Sequence, residues 1–79
     1  MSMLNELTRF LVKAVVREPD TVDVVDSERR GEPSLLIRVS EDDRGVVIGR
    51  QGRTIRAIQT VVNYAHGPGS APGLDVESV

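Results

Sequence analysis

Gly49-Arg50-Gln51-Gly52 is the stretch of this 79-residue chain whose residue types and spacing suit a chemical task, and the task is to hold an anion. Two glycines so spaced let the backbone turn sharply and leave no side chain between it and a ligand. The residues from Arg53 onward read as a helix, and a helix aims its first-turn N–H groups, here those near Arg53 and Thr54, and its positive dipole end at whatever precedes it. Arg50, Arg53 and Arg56 add formal charge at the same corner, while Val46, Val47 and Ile48 supply an aliphatic surface just before it. The combination fits a phosphate joined to an apolar group. The plain alternative is a tight corner between two packed helices with solvated arginines, and the tetrapeptide alone does not separate the two.

Charge distribution favours the first reading. The net charge is −2, which argues against a generally basic nucleic-acid binder. Yet from Arg44 to Leu74 there is no acidic residue, while Arg44, Arg50, Arg53 and Arg56 all lie there. Positive potential is therefore concentrated at the glycine corner and its flanks. Phe10 and Tyr64 are the whole aromatic complement, so base recognition here would use aliphatic contacts and hydrogen bonds in place of an aromatic stacking platform.

The absence of cysteine excludes a disulfide framework and cysteine-type zinc sites, and fits a reducing compartment. No apolar run approaches a membrane span and no leader pattern opens the chain, so a cytoplasmic protein without membrane contact is expected. No enzyme is expected either. The single histidine, His66, falls at a helix end, and no serine or carboxylate has an evident base partner. No cofactor, metal or small-molecule substrate is expected. The run Glu41-Asp42-Asp43 reads as an acid-loaded helix start, with Ser40 and Asp43 spaced as a capping box, in preference to a metal site.

These residues need a scaffold, and the chain supplies one domain, 1–79. Leu4, Leu7, Leu11, Ala14 and Val15 recur at helical spacing, predicting a helix over about 3–17 with Ser2 as N-cap and Phe10 packing at the edge of the apolar stripe. Asn5, Glu6, Arg9, Lys13 and Arg17 take its polar face. Strands follow over about 21–28 and 34–40, joined through a charged connection that turns at Gly31 as an antiparallel hairpin. A short helix covers about 41–48, the glycine loop 49–52, and a longer helix about 53–65. That last helix carries Ile55, Ile58, Val62 and Ala65 on one face and a second apolar seam, Ala57, Val61 and Tyr64, beside it. One thin core does not need both seams, so the second is a candidate dimer surface. A Gly/Pro-rich loop leads to a last strand over about 74–78. The order α-β-β-α-α-β predicts an α+β fold with a three-stranded mixed sheet covered on one face by three helices.

That order, with Val47-Ile48-Gly49-Arg50-Gln51-Gly52-Arg53-Thr54-Ile55-Arg56-Ala57-Ile58 between its last two helices, resembles a KH domain of type II topology. In size and coverage the chain is similar to the small bacterial single-KH proteins of the KhpA family. The resemblance implies that the G-x-x-G loop clamps a single-stranded RNA backbone. Gly49 and Gly52 would permit close approach, and Arg50 and Gln51 would meet phosphates. Arg53, Thr54 and Arg56 would extend the contact, with Val47, Ile48 and Ile55 as apolar contacts for bases. The bases would lie between the two flanking helices and the strand around Ile37–Val39. The resemblance further implies an RNA chaperone or post-transcriptional regulator that forms a homodimer, a heterodimer with a larger KH protein of the KhpB (Jag) type, or both, with a link to cell-wall synthesis and cell length. The family usually carries a charged turn where this chain has its Gly/Pro-rich loop at 67–73.

The alternative from another class is a protein-interaction adaptor acting mainly through the Ala57–Val61–Tyr64 seam. A helix-turn-helix reader of duplex DNA fits less well, because the second helix lacks polar base-reading residues.

Overall fold

Leu35, Ile37 and Val39 point to one side of the central strand and are buried almost completely, and the rest of the molecule is arranged to cover them. In the computed structural model, which describes residues 2–79, the elements run α1 (Met3–Val15), β1 (Asp23–Arg29), β2 (Glu32–Val39), α2 (Glu41–Ile48), α3 (Arg53–His66) and β3 (Gly73–Ser78). Met1, part of the expected domain 1–79, lies outside the described residues. The sheet order is β1-β2-β3, with β1 antiparallel and β3 parallel to β2. This is the expected α+β arrangement, a mixed sheet with three helices on one face.

The hairpin is tighter than the sequence suggested. Arg30 and Gly31 both take positive φ, the pattern of a two-residue type I′ turn, so β1 runs on to Arg29 and β2 starts at Glu32. Pro33 is tolerated in the central strand because β3 begins only opposite Ser34, leaving no third strand beside it. At the other end, Pro19–Thr21 forms a 3-10 turn, which delays the start of β1 to Asp23. The Gly/Pro-rich loop does not shorten β3, whose register places Val76 beside Ile37. The Gln59 amide holds that loop to α3 by donating to the Pro72 carbonyl at 3.0 Å.

Helix α1 begins where expected: the Ser2 hydroxyl oxygen accepts the Asn5 N–H at 3.1 Å. Its buried face, however, is rotated from the apolar stripe read in the sequence. Asn5, Thr8 and Val12 are the fully buried residues, with Leu4 and Leu11 half-buried beside them. Asn5, assigned to the polar face, is inside because its amide donates to the Val24 carbonyl at 2.9 Å and to Asp26 Oδ1 at 3.3 Å, tying α1 to β1. Thr8 satisfies its hydroxyl within the helix, on the Leu4 carbonyl at 2.8 Å. The rotation turns Phe10 outward, and it is 70% exposed rather than packed in the core. Ala14 and Val15 are exposed with it.

Asp43 corrects the capping-box reading in a way that bears on the site. Ser40 does cap α2, its hydroxyl oxygen accepting the Asp43 N–H at 3.3 Å. The Asp43 side chain does not return to the Ser40 N–H as a capping box would. It is fully buried, and its two oxygens accept the N–H groups of Arg17 at 3.0 Å and Glu18 at 2.9 Å, with the Ser40 hydroxyl donating at 3.1 Å. One carboxylate thus fastens the chain leaving α1 to the first turn of α2. This is also why α1 stops at Val15: two backbone donors beyond it are committed to Asp43.

Candidate nucleic-acid interface

The corner at 49–52 is built from backbone that ordinary residues avoid. Gly49 has φ 77 and ψ 171, Gln51 has φ 57 and ψ 26, and Gly52 has φ 74 and ψ 16. Gly49 is the position that requires glycine most strictly, since a Cβ there would come within 2.8 Å of the Thr54 backbone nitrogen. Gly52 is left-handed but roomy, with Arg56 Nη1 at 3.8 Å as the nearest atom to such a Cβ. The turn is closed by its own hydrogen bonds, Gly49 N–H to the Gly45 carbonyl at 2.8 Å and Gly52 N–H to the Gly49 carbonyl at 3.1 Å. Arg53 N–H is likewise used, bonding to the Arg50 carbonyl. Gly52 supplies no side-chain cap to α3, so the positive end of that helix faces the corner without a carboxylate or hydroxyl of its own from this position.

Charge at the site is unpaired. Among the described residues the ion pairs join Arg9 to Asp23, Arg29 to Asp75 and Arg38 to Glu77, all anchored on the sheet. None involves Arg44, Arg50, Arg53 or Arg56, all four exposed. Arg56 lies one helical turn past Gly52 and its guanidinium borders that glycine. The structure therefore gathers Arg50, Gln51, Arg53 and Arg56 around Gly49 and Gly52, an arrangement that can take an extended polyanion against bare backbone.

The apolar residues expected at this site divide. Val47 is fully buried and its side chain belongs to the core, because it and Asp43 form the inner face of α2. Ile48 is half-buried and still reaches the surface, as does Val46, 36% exposed. Ile55 is half-buried and packs against the core. Thr54 is wedged behind Gly49, so its side chain supports the corner from within. The strand expected to floor the groove cannot do so. Ile37 and Val39 have no exposed surface, and Arg38, on the opposite face of the sheet, is paired to Glu77 at 3.0 Å. Alternation along β2 carried the signal for that burial, since the residues facing the helices must fill the core.

Asp43 is the supporting residue that the sequence reading did not identify as such. The Arg17 N–H bond holds its carboxyl below the usual range; burial opposes that shift, while the Glu18 N–H, the Ser40 hydroxyl and the Arg17 charge reinforce it. It therefore stays charged and keeps α2, and with it the corner, fixed to the α1 end.

A second surface lies on the far side of Thr54. Leu11, Ala14 and Val15 of α1 and Thr54, Ala57, Ile58 and Val61 of α3 line an open apolar groove of about 240 Å³. Tyr64 is 90% exposed and Val61 42% exposed on the same helix. The structure thus leaves Ala57, Val61 and Tyr64 outside the core, as the second seam required. No helix among the described residues is long and apolar enough to cross a membrane, and no group of three or more His, Cys, Asp or Glu among them is placed to hold a metal ion.

Comparison with known proteins bears directly on this geometry. A sequence model of the family described as KhpA/KhpB, KH domain, matches residues 5–69, which takes in the hairpin, the glycine corner and both flanking helices. The chain belongs to the KhpA/KhpB KH-domain family. It is 46% identical over 78 residues to the RNA-binding protein KhpA of Streptomyces coelicolor, covering 98% of this chain and 99% of that one. It is 36% identical over 74 residues to the RNA-binding protein KhpA of Bacillus subtilis, covering 94% and 90%. With the KhpA of Treponema pallidum it shares 34% identity over 77 residues, 96% of each chain. The matched residues take in the glycine corner, whose sequence is Gly49-Arg50-Gln51-Gly52.

Proposed function

We propose that this KH domain is a single-stranded RNA-binding protein that grips the RNA backbone at Gly49–Gly52. The observation that carries the reading is the combination of bare left-handed backbone with arginines that have no acidic partner among the described residues. Backbone phosphates can approach Gly49 and Gly52 closely, while Arg50, Arg53 and Arg56 neutralise them and Gln51 adds hydrogen bonds. Bases would meet Ile48 and Val46 beside the corner. The relatives named for RNA binding support the same assignment. With one short clamp and no stacking aromatic, the domain should bind weakly, with little sequence preference and a steep dependence on salt. Such binding suits a chaperone or post-transcriptional regulator in the cytoplasm. The test is fluorescence anisotropy of the wild-type chain with labelled single-stranded and duplex RNAs at two salt concentrations. Preference for single strands that weakens as salt rises is expected; preference for the duplex would contradict the reading.

A second reading concerns the apolar groove between α1 and α3. Exposed Val61 lines it, and exposed Phe10 and Tyr64 lie on the same two helices, which favours pairing through α3, either with a second copy or with a larger KhpB-type protein. Pairing would also strengthen RNA binding by making a second contact intramolecular. The link to cell-wall synthesis and cell length belongs to this pairing, and comparing cell length in a strain lacking the protein with one carrying a Val61→Asp variant tests it. In the purely adaptor form of this reading RNA contact would be lost or secondary, and the same anisotropy measurement separates the two.

A further inference from the structure

Thr54 belongs to two surfaces at once. Its Cβ lies 2.8 Å from the position that a Cβ on Gly49 would take, so the threonine packs directly on the first glycine of the corner. The same side chain lines the apolar groove between α1 and α3. None of the other groove residues is among the atoms nearest to either corner glycine. Thr54 is half-buried, covered on the Gly49 side and open on the groove side. One side chain therefore separates the clamp from the groove.

Both walls of the groove lead to Gly49. On one side α3 is a single 14-residue helix, so a shift of Ala57 and Val61 in the groove is carried to Thr54 and to Arg53 beside it. On the other side the chain leaving α1 is fastened to the first turn of α2 by Asp43, which accepts the Arg17 and Glu18 N–H groups. Helix α2 then ends at Gly49. The Gly49 N–H bonds to the Gly45 carbonyl at 2.8 Å, and its carbonyl takes the Gly52 N–H at 3.1 Å, closing the corner. A change in the spacing of α1 and α3 is thus taken up where Thr54 meets Gly49, the glycine on which the turn closes.

We propose that Thr54 couples the two surfaces: apolar side chains of a second copy seated in the groove press Thr54 onto Gly49 and hold the corner in its phosphate-accepting shape. The link rests on the readings of the corner as a single-stranded RNA clamp and of the groove as a pairing surface. A second copy suits the groove because the same two helices carry exposed Phe10 and Tyr64, large side chains that line no part of their own groove and can enter a partner's. With the groove empty, one side of Thr54 faces solvent. With it filled, Thr54 is confined between the partner and Gly49. RNA then loses less freedom in ordering the corner, and by linkage RNA in the clamp tightens pairing by the same factor. The effect is separate from a second, intramolecular RNA contact, because it operates on an RNA too short to reach two clamps.

The experiment measures self-association of the full chain by analytical ultracentrifugation at low salt. It is run with and without a saturating mixed-sequence pool of single-stranded RNAs of about four nucleotides, the length one KH clamp holds. Wild type, Thr54→Ala and Thr54→Val are compared, each with its melting temperature and RNA titration recorded. In wild type the RNA should tighten self-association about fivefold or more, the lower end of coupling between sites. Thr54→Ala removes the side chain that spans the two surfaces, and its ratio should fall to about one. Thr54→Val keeps the bulk and should keep most of the coupling. Because the readout is a ratio within each variant, a general weakening of pairing or of RNA binding cancels. A wild-type ratio of one or below overturns the proposal. So does a wild-type ratio retained in Thr54→Ala, the result that simple charge neutralisation by RNA would give. A loss in Thr54→Val equal to that in Thr54→Ala overturns the packing route. A flat RNA titration of wild type removes the clamp reading, and a wild type that stays monomeric at every concentration removes the pairing reading; either removes this proposal with it.

Discussion

Thr54 packs directly against the α-carbon of Gly49: a Cβ on Gly49 would stand 2.8 Å from both the Cβ and the backbone nitrogen of Thr54. The first residue of the G-x-x-G loop is therefore held by two constraints, positive φ and contact with α3, while Gly52 is held by φ alone. Gly49→Ala should destabilise the domain by about 3 kcal/mol, the sum of a left-handed penalty and an overlap that α3 must absorb. Gly52→Ala should cost only about 1 kcal/mol. Urea denaturation of the two variants checks the order, and equal losses would contradict it.

The Asp43 tether gives a pH dependence with a definite sign. Its folded pKa is lowered, chiefly by the Arg17 N–H. A carboxyl of this kind stabilises the fold above its unfolded value of about 4, and the contribution disappears as pH falls through the lower folded value. Asp43→Asn should therefore be less stable than wild type at neutral pH, because its amide would face the Arg17 and Glu18 N–H groups with one acceptor in place of two. The gap should close in acid. Urea midpoints measured from about pH 7 down to about pH 2 test this, and a gap that stays constant would contradict it.

The proposed RNA clamp predicts a salt dependence set by the arginines of the corner. Arg50→Gln and Arg53→Gln should each reduce the slope of log K against log salt by about 0.7, the value for one phosphate on a single strand. Arg38→Gln, whose parent side chain is paired to Glu77, should leave the slope unchanged. Anisotropy titrations at several salt concentrations provide the comparison.

Val61→Asp addresses the apolar groove. Val61 is 42% exposed, so the substitution should cost the monomer less than about 1 kcal/mol. It should nonetheless abolish self-association, read as a fall in mass by sedimentation or light scattering at high protein concentration. Unchanged mass, with wild type associated, would place the interface elsewhere.

Much of this was legible in the sequence. Periodicity and turn residues gave the element order, and the glycine spacing gave the corner. The outward seam of α3 also followed from periodicity, since Ala57, Val61 and Tyr64 exceed what the core of Ile58 and Val62 can use. The rotation of α1 was not legible. Asn5 is inside only because β1 offers it the Val24 carbonyl, a partner 19 residues away that no local pattern reveals. Phe10 is outside for the same reason, displaced by a polar residue from the face that its hydrophobicity would otherwise claim. Val47 read as a groove residue because aliphatic side chains before a G-x-x-G loop look alike in sequence; only the placement of Asp43, held from α1, decides which of them turns inward.

The measurement that bears most directly on the central claim is RNA binding by Gly52→Asp. Gly49 is unsuited to the test because any side chain there strikes Thr54 and mixes folding with binding. Gly52 has room, and aspartate tolerates left-handed backbone better than most residues. The variant places a carboxylate beside Arg56 in the middle of the clamp. With melting temperature and oligomer mass close to those of wild type, its affinity for a pool of short single-stranded RNAs should fall at least about tenfold, the equivalent of about 1.4 kcal/mol. Wild-type affinity in a folded Gly52→Asp variant would contradict the assignment of RNA binding to the Gly49–Gly52 corner.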